Sequence, residues 1–128
     1  MPAISFSTMK DKILSGEKKQ TIRPKSDYWL KWEKGDRLVG YWKMRSSGES
    51  EQLFDSKLSE DPFITELFIL SVLDKDKGEY LDRLNWLKRL AQEDGFEDYI
   101  EMQLWFLERY GNKAWDMDFV VIRWENTV

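Results

Sequence analysis

The sequence predicts an α+β domain, a mixed, largely antiparallel β-barrel with a short N-terminal helix and two helices in its C-terminal half. Three observations carry this. The hydrophobic pattern switches between strand-like and helix-like periods several times along the chain. The order is strand, helix, several strands, two helices, strand, without the regular alternation of a doubly wound sheet. The length of 128 residues, with 41% hydrophobic and 34% charged residues, suits a single domain spanning 1–128 with its own core.

Taken in order, Ile4 to Phe6 reads as an opening strand. Met9 to Ser15 places Met9, Ile13 and Leu14 on one side of a short helix that Gly16 stops. Gln20 to Arg23 is a β-prone run ended by Pro24, which cannot donate to a ladder. Gly35-Asp36 marks a turn into a strand from Leu38 to Met44, and the polar stretch Arg45 to Glu51 reads as a hairpin or loop. Ile64 to Leu73 is nearly continuous in apolar residues, the pattern of a strand buried on both faces.

Two helices follow. The first, within about 79–92, puts Tyr80, Leu84, Leu87 and Ala91 on one stripe. The second is expected to start at Asp94, whose spacing to Glu97 is that of a capping box, and to bury Phe96, Ile100, Leu104 and Leu107 before Gly111 closes it. Phe119 to Trp124 is the last strand.

The chain has no cysteine and no histidine, which excludes disulfides, thiolate zinc sites and histidine-based catalysis within these residues. An all-carboxylate site for a hard cation stays open, but no Asp-rich loop of the EF-hand kind occurs, and the expectation is no metal and no cofactor. No apolar run approaches the roughly 18 residues a membrane span needs. The N-terminus lacks the pattern of a signal peptide, and a cytoplasmic location is the expectation.

Net charge is −4, but it is unevenly spread. Residues 1–45 carry 11 Lys and Arg against 5 Asp and Glu, whereas residues 46–128 carry 9 against 19. Any attraction for phosphate therefore concentrates on the N-terminal third.

Within that third, Gly16-Glu17-Lys18-Lys19-Gln20-Thr21-Ile22-Arg23 carries the chemistry. Period-two alternation would line up Lys19, Thr21 and Arg23, two cations around a hydroxyl, with Lys18 reaching across from the loop edge. Arg offers a planar fork to phosphate or a carbonyl edge, and Lys a movable point charge. Lys25 extends the basic patch. Tyr28, Trp29, Trp32, Tyr41 and Trp42 are interleaved with lysines, the ingredients of a base-stacking groove. Trp29 is the ring expected to be exposed. The ligand-binding candidates are thus Lys18, Lys19, Thr21, Arg23, Lys25 and Trp29.

Gly16-x-Lys18-x-x-x-x-Arg23 resembles the GxKxxxxR signature of the ASCH family, continued by Gln20-Thr21-Ile22-Arg23-Pro24. Trp32-x-x-Gly35-Asp36-x-Leu38, Asp94-Gly95-Phe96 and the strand Phe119 to Trp124 fall where ASCH proteins have similar features. The resemblance implies a PUA-like β-barrel that binds RNA or a modified nucleoside or nucleotide in a cleft beside the signature, as a monomer or weak homodimer. It also implies a hydrolytic alternative, a nuclease or a small amidohydrolase that deacylates a nucleoside. There Lys18 would be the base, Thr21 the nucleophile and Glu93 the acid. Asp94 competes with Glu93 for the last role, but its expected work as a helix cap favours Glu93. A third reading is a protein-interaction module using the acidic half.

Overall fold

The computed structural model describes residues 3–44, 48, 50–68 and 77–125, with backbone alone at 77–80. The elements are β1 (Ala3–Phe6), α1 (Lys10–Ser15), β2 (Gln20–Pro24), α2 (Asp27–Leu30), β3 (Arg37–Trp42), β4 (Glu51–Lys57), β5 (Phe63–Thr65), α3 (Lys77–Glu93), α4 (Tyr99–Tyr110), a 3-10 helix (Gly111–Asp116) and β6 (Phe119–Arg123). The fold is α+β. Among the described residues no helix is long and apolar enough to cross a membrane.

The strands form two three-stranded sheets, ordered β1-β3-β4 and β2-β6-β5. Among the described residues only β1 with β3 is parallel; β3–β4, β2–β6 and β5–β6 are antiparallel. The sheets touch through an isolated bridge between Leu58 and Trp124. No closed barrel is formed among the described residues.

Strand β6 explains how one chain builds two cores. Phe119, Val120, Val121 and Ile122 are all fully buried. Phe119 and Val121 face a core that Ile22, Leu87, Leu90, Met102 and Phe106 share. Val120 and Ile122 face the other way, toward Ile4, Phe6, Leu38, Phe54 and Leu58. Alternating side chains thus serve both sides of the strand, each worth about 1.5–3 kcal/mol of burial for the larger residues.

Several expectations need correction. Leu14 is exposed; only Ile13 of α1 is buried. The hairpin or loop expected at 45–51 agrees with the antiparallel pairing of β3 and β4, Trp42 opposite Glu51, although 45–47 and 49 lie outside the described residues. Strand β4 itself is not marked by the sequence, because its outer residues are polar and only Leu53 and Phe54 are buried. Its partner strand needs Gly40, since a Cβ there would lie 2.1 Å from the Phe54 ring. Of the strand expected over Ile64 to Leu73, the described residues form β5 at Phe63–Thr65, where Ile64 is exposed and not buried on both faces, and the part beyond Phe68 lies outside the described residues.

The second long helix starts later than its spacing suggested. Gly95, at φ +97°, belongs to the end of α3: its N–H bonds to the Gln92 carbonyl and that of Phe96 to Ala91, both at 3.0 Å. This is a Schellman ending, with glycine in the left-handed position. Helix α4 begins only at Tyr99, capped by the Asp98 side chain on the Glu101 N–H at 2.8 Å. Its buried face is Tyr99, Met102 and Phe106, while Ile100 and Leu104 are 65% and 61% exposed. The helix is apolar on most sides, so two stripes competed, and the row of larger side chains is the buried one.

Candidate functional site: a cationic cleft beside strand β2

Lys18 leaves the turn at Gly16 and points inward, 4% exposed. Its Nζ lies 3.0 Å from Asp94 Oδ2 and donates to the Asp94 carbonyl at 2.6 Å. Lys12 Nζ donates to the Gly95 carbonyl. Gln20 Nε2 donates to the Leu90 carbonyl at 3.0 Å and to Asp94 Oδ1 at 3.3 Å. Side chains from the α1–β2 segment therefore cover the end of α3: the lysines satisfy the Asp94 and Gly95 carbonyls, and Gln20 adds a second bond to the Leu90 carbonyl that already accepts from the Asp94 N–H. The two lysines bring positive charge to the helix's negative pole.

Thr21 and Arg23 share one face of β2, opposite Ile22. Arg23 Nε donates to Thr21 Oγ1 at 3.2 Å, and its Nη2 donates to the Ser5 carbonyl at 2.8 Å, tying β2 to β1. The guanidinium lies 5.3 Å from the centroid of the Phe6 ring. Phe6, Thr21 and Arg23 line a cavity of about 80 Å³ that Met9, Trp105, Arg109 and Tyr110 also border.

Burial dominates the electrostatics here. It pushes the Lys18 ammonium below the ordinary lysine range, against the pull of Asp94, and pushes the Asp94 carboxyl above the ordinary range, against the pull of Lys18. Arg23 is also shifted down by burial, against the pull of Tyr110 and Asp94, with Arg109 adding a smaller push in the same direction as burial.

The sequence candidates separate into two groups. Lys18, Thr21 and Arg23 meet in this cavity with Asp94. Lys19 and Glu93 line a second cavity of about 440 Å³ with Glu17, Gln20, Arg123 and Glu125. Glu93 Oε2 pairs with Arg123 Nη2 at 2.9 Å. Lys25 is exposed and does not border the smaller cavity. Trp29 is half-buried against the Phe6–Phe54 core, and the exposed ring is its neighbour Tyr28, with Lys31 Nζ 4.8 Å from its centroid.

The larger cavity is the poorer candidate for an anion. Its carboxylates repel phosphate, and Arg123 is already spent on Glu60 at 2.7 Å, Glu93, and Gln20 Oε1 at 2.9 Å. Among the described residues no three acidic groups converge to hold a metal ion.

Sequence reasoning ranked Asp94 behind Glu93, whereas Asp94 lines the smaller cavity and Glu93 the larger, and it missed Trp105 and Arg109 as site residues. Asp94-Gly95 carried a signal for its true position, since glycine directly after a periodic apolar stretch marks a helix end. Trp105 and Arg109 stand four apart on α4, one turn on the same side. The chain matches no known family model, no curated protein and no solved structure.

Proposed function

We propose that the chain is an ASCH-type domain of PUA-like architecture that recognises RNA or a nucleotide in the cleft beside Gly16–Pro24. The observation that carries this is the convergence of Lys18, Thr21 and Arg23 in one cavity, with Arg109 at its border. Cations outnumber the single lining carboxylate, Asp94, three to one. The two sheets are read as the halves of a PUA-like barrel, which the Leu58–Trp124 bridge and the two-faced burial of β6 support.

Size limits how such a ligand sits. Sites that enclose a drug-sized molecule hold about 300–1,000 Å³, so 80 Å³ admits one group of the ligand while the rest stays outside. Equilibrium binding of short single-stranded RNAs and of nucleotides, with product detection on the same samples, tests the reading. No binding at low salt would refute it.

One observation favours a second, hydrolytic reading: a buried lysine shifted toward its neutral form lines the same cavity as a hydroxyl. Neutral Lys18 would take the Thr21 proton as Oγ1 attacks an acyl carbon. The C–N bond would then break, with the proton passing to the leaving amine, and water would hydrolyse the acyl-threonine to free acid. Asp94, rather than Glu93, would be the acid at hand, because Glu93 lines the other cavity.

A further inference from the structure

Arg109 lies in the last turn of α4, with its guanidinium carbon 5.6 Å from the Trp105 ring centroid and 6.0 Å from that of Tyr110. Two aromatic rings thus restrain a side chain that would otherwise sweep freely through solvent. Arg23 borders the same cavity, held by Thr21 and Ser5 with Phe6 beneath it.

Among the described residues neither guanidinium forms an ion pair, in contrast to Arg37, which is bound to Asp55, and Arg123, bound to Glu60 and Glu93. The lone lining carboxylate, Asp94, is held by Lys18. Asp94 attracts Arg23 through space but forms no ion pair with it, and Arg109 repels Arg23 across the same small cavity, so an anion joining the two arginines would relieve that repulsion. A volume of 80 Å³ matches two to three waters at about 30 Å³ each. That is room to enclose a tetrahedral oxoanion, while a nucleoside would extend beyond it.

We propose that Arg23 and Arg109 clamp a phosphate, so that the cleft takes a phosphate ester, either a free nucleotide or the backbone of RNA, and not a neutral nucleoside. The planar forks of two arginines are suited to the oxygens of one phosphate. The inference rests on the nucleotide-binding reading above and adds which part of the ligand enters the cavity.

The test is a set of titrations of the full chain, wild type and Arg109→Gln, with inorganic phosphate, cytidine, cytidine 5′-monophosphate and a short single-stranded RNA without terminal phosphates. Arg109 is exposed, so the variant keeps its fold, and a melting curve verifies it. The monophosphate is expected to bind at least about tenfold more tightly than cytidine, and inorganic phosphate to compete with it. Arg109→Gln should weaken the monophosphate by about ten- to a hundredfold, the loss of one charge-assisted contact. An equal loss for the RNA identifies a backbone phosphate; a loss confined to the monophosphate identifies a terminal one. Cytidine binding as tightly as its monophosphate, or a monophosphate affinity unchanged in Arg109→Gln, overturns the clamp while leaving a nucleoside site standing. Failure of every probe to bind at low salt removes both.

Discussion

Lys18 Nζ sits 3.0 Å from Asp94 Oδ2 and 2.6 Å from the carbonyl oxygen of the same residue, so one buried ammonium serves a side chain and a helix end together. Lys18 therefore has a structural duty independent of any ligand: it joins the β2 entrance to the end of α3. Taking two charges out of water is costly, and such a pair need not add net stability. Losing one partner alone is another matter, because the remaining charge is stranded.

Lys18→Met should thus lower unfolding free energy by about 3–5 kcal/mol, through the unpaired Asp94 carboxylate. Lys18→Met combined with Asp94→Leu should recover much of that loss. Urea unfolding of the three proteins measures it. A single variant within about 1 kcal/mol of the wild type would show that the pair is not closed in solution. The consequence for function is practical: loss of binding or turnover in Lys18→Met alone says nothing about chemistry until its folding has been checked.

The pair also sets a pH dependence. The Asp94 carboxyl titrates above its ordinary 3.8 in the folded protein, so the native state holds its proton longer and stability falls as pH rises from there through the native value. Lys18 titrates below its ordinary 10.5, so the unfolded state binds more protons and stability rises with pH from the native value up to 10.5. Relative to Lys18→Met/Asp94→Leu, the wild type should therefore be weakest between the two windows and gain toward both ends. A wild-type advantage peaking near neutrality would mean that attraction, and not burial, governs the pair.

Much of this arrangement was legible in the sequence because it is local. Gly16, at φ +85°, ends α1 where its position suggested, and the alternation of Gln20 to Arg23 does set Thr21 and Arg23 on one face. Lys19 does not follow that alternation, because its residue precedes β2 and its side chain turns to the other cavity. What was not legible depends on contacts across 70 residues or more, such as those of Lys18 with Asp94 and Gln20 with Leu90. Nothing local marks Asp94 as a partner of Lys18, and its spacing to Glu97 imitates a helix start. The same false start rotated the expected face of α4.

That rotation is testable by itself. Asp98→Ala removes the α4 cap and should cost about 1 kcal/mol. Phe106→Ala should cost about 3–5 kcal/mol, whereas Leu104→Gln should stay within about 0.5 kcal/mol. Thermal or urea denaturation distinguishes these, and a large loss in Leu104→Gln would restore the stripe read from periodicity.

Thr21 separates binding from hydrolysis. Thr21→Val keeps the shape and removes the hydroxyl that accepts from Arg23. If Thr21 only contacts ligand, affinity should fall by about 0.5–1.5 kcal/mol. If it is a nucleophile, deacylation of acetylated cytidine should vanish while binding persists. Wild-type protein without turnover above background would end the hydrolytic reading.

The most direct measurement is a 1H–15N NMR titration of the full chain with a short single-stranded RNA at low salt. Binding in the cleft predicts the largest shifts at the amides of Lys18, Thr21 and Arg23 and at the Trp105 indole, which border the smaller cavity. Shifts centred instead on Ser59, Arg123 and Glu125, around the larger cavity, or no shifts at all, would contradict it.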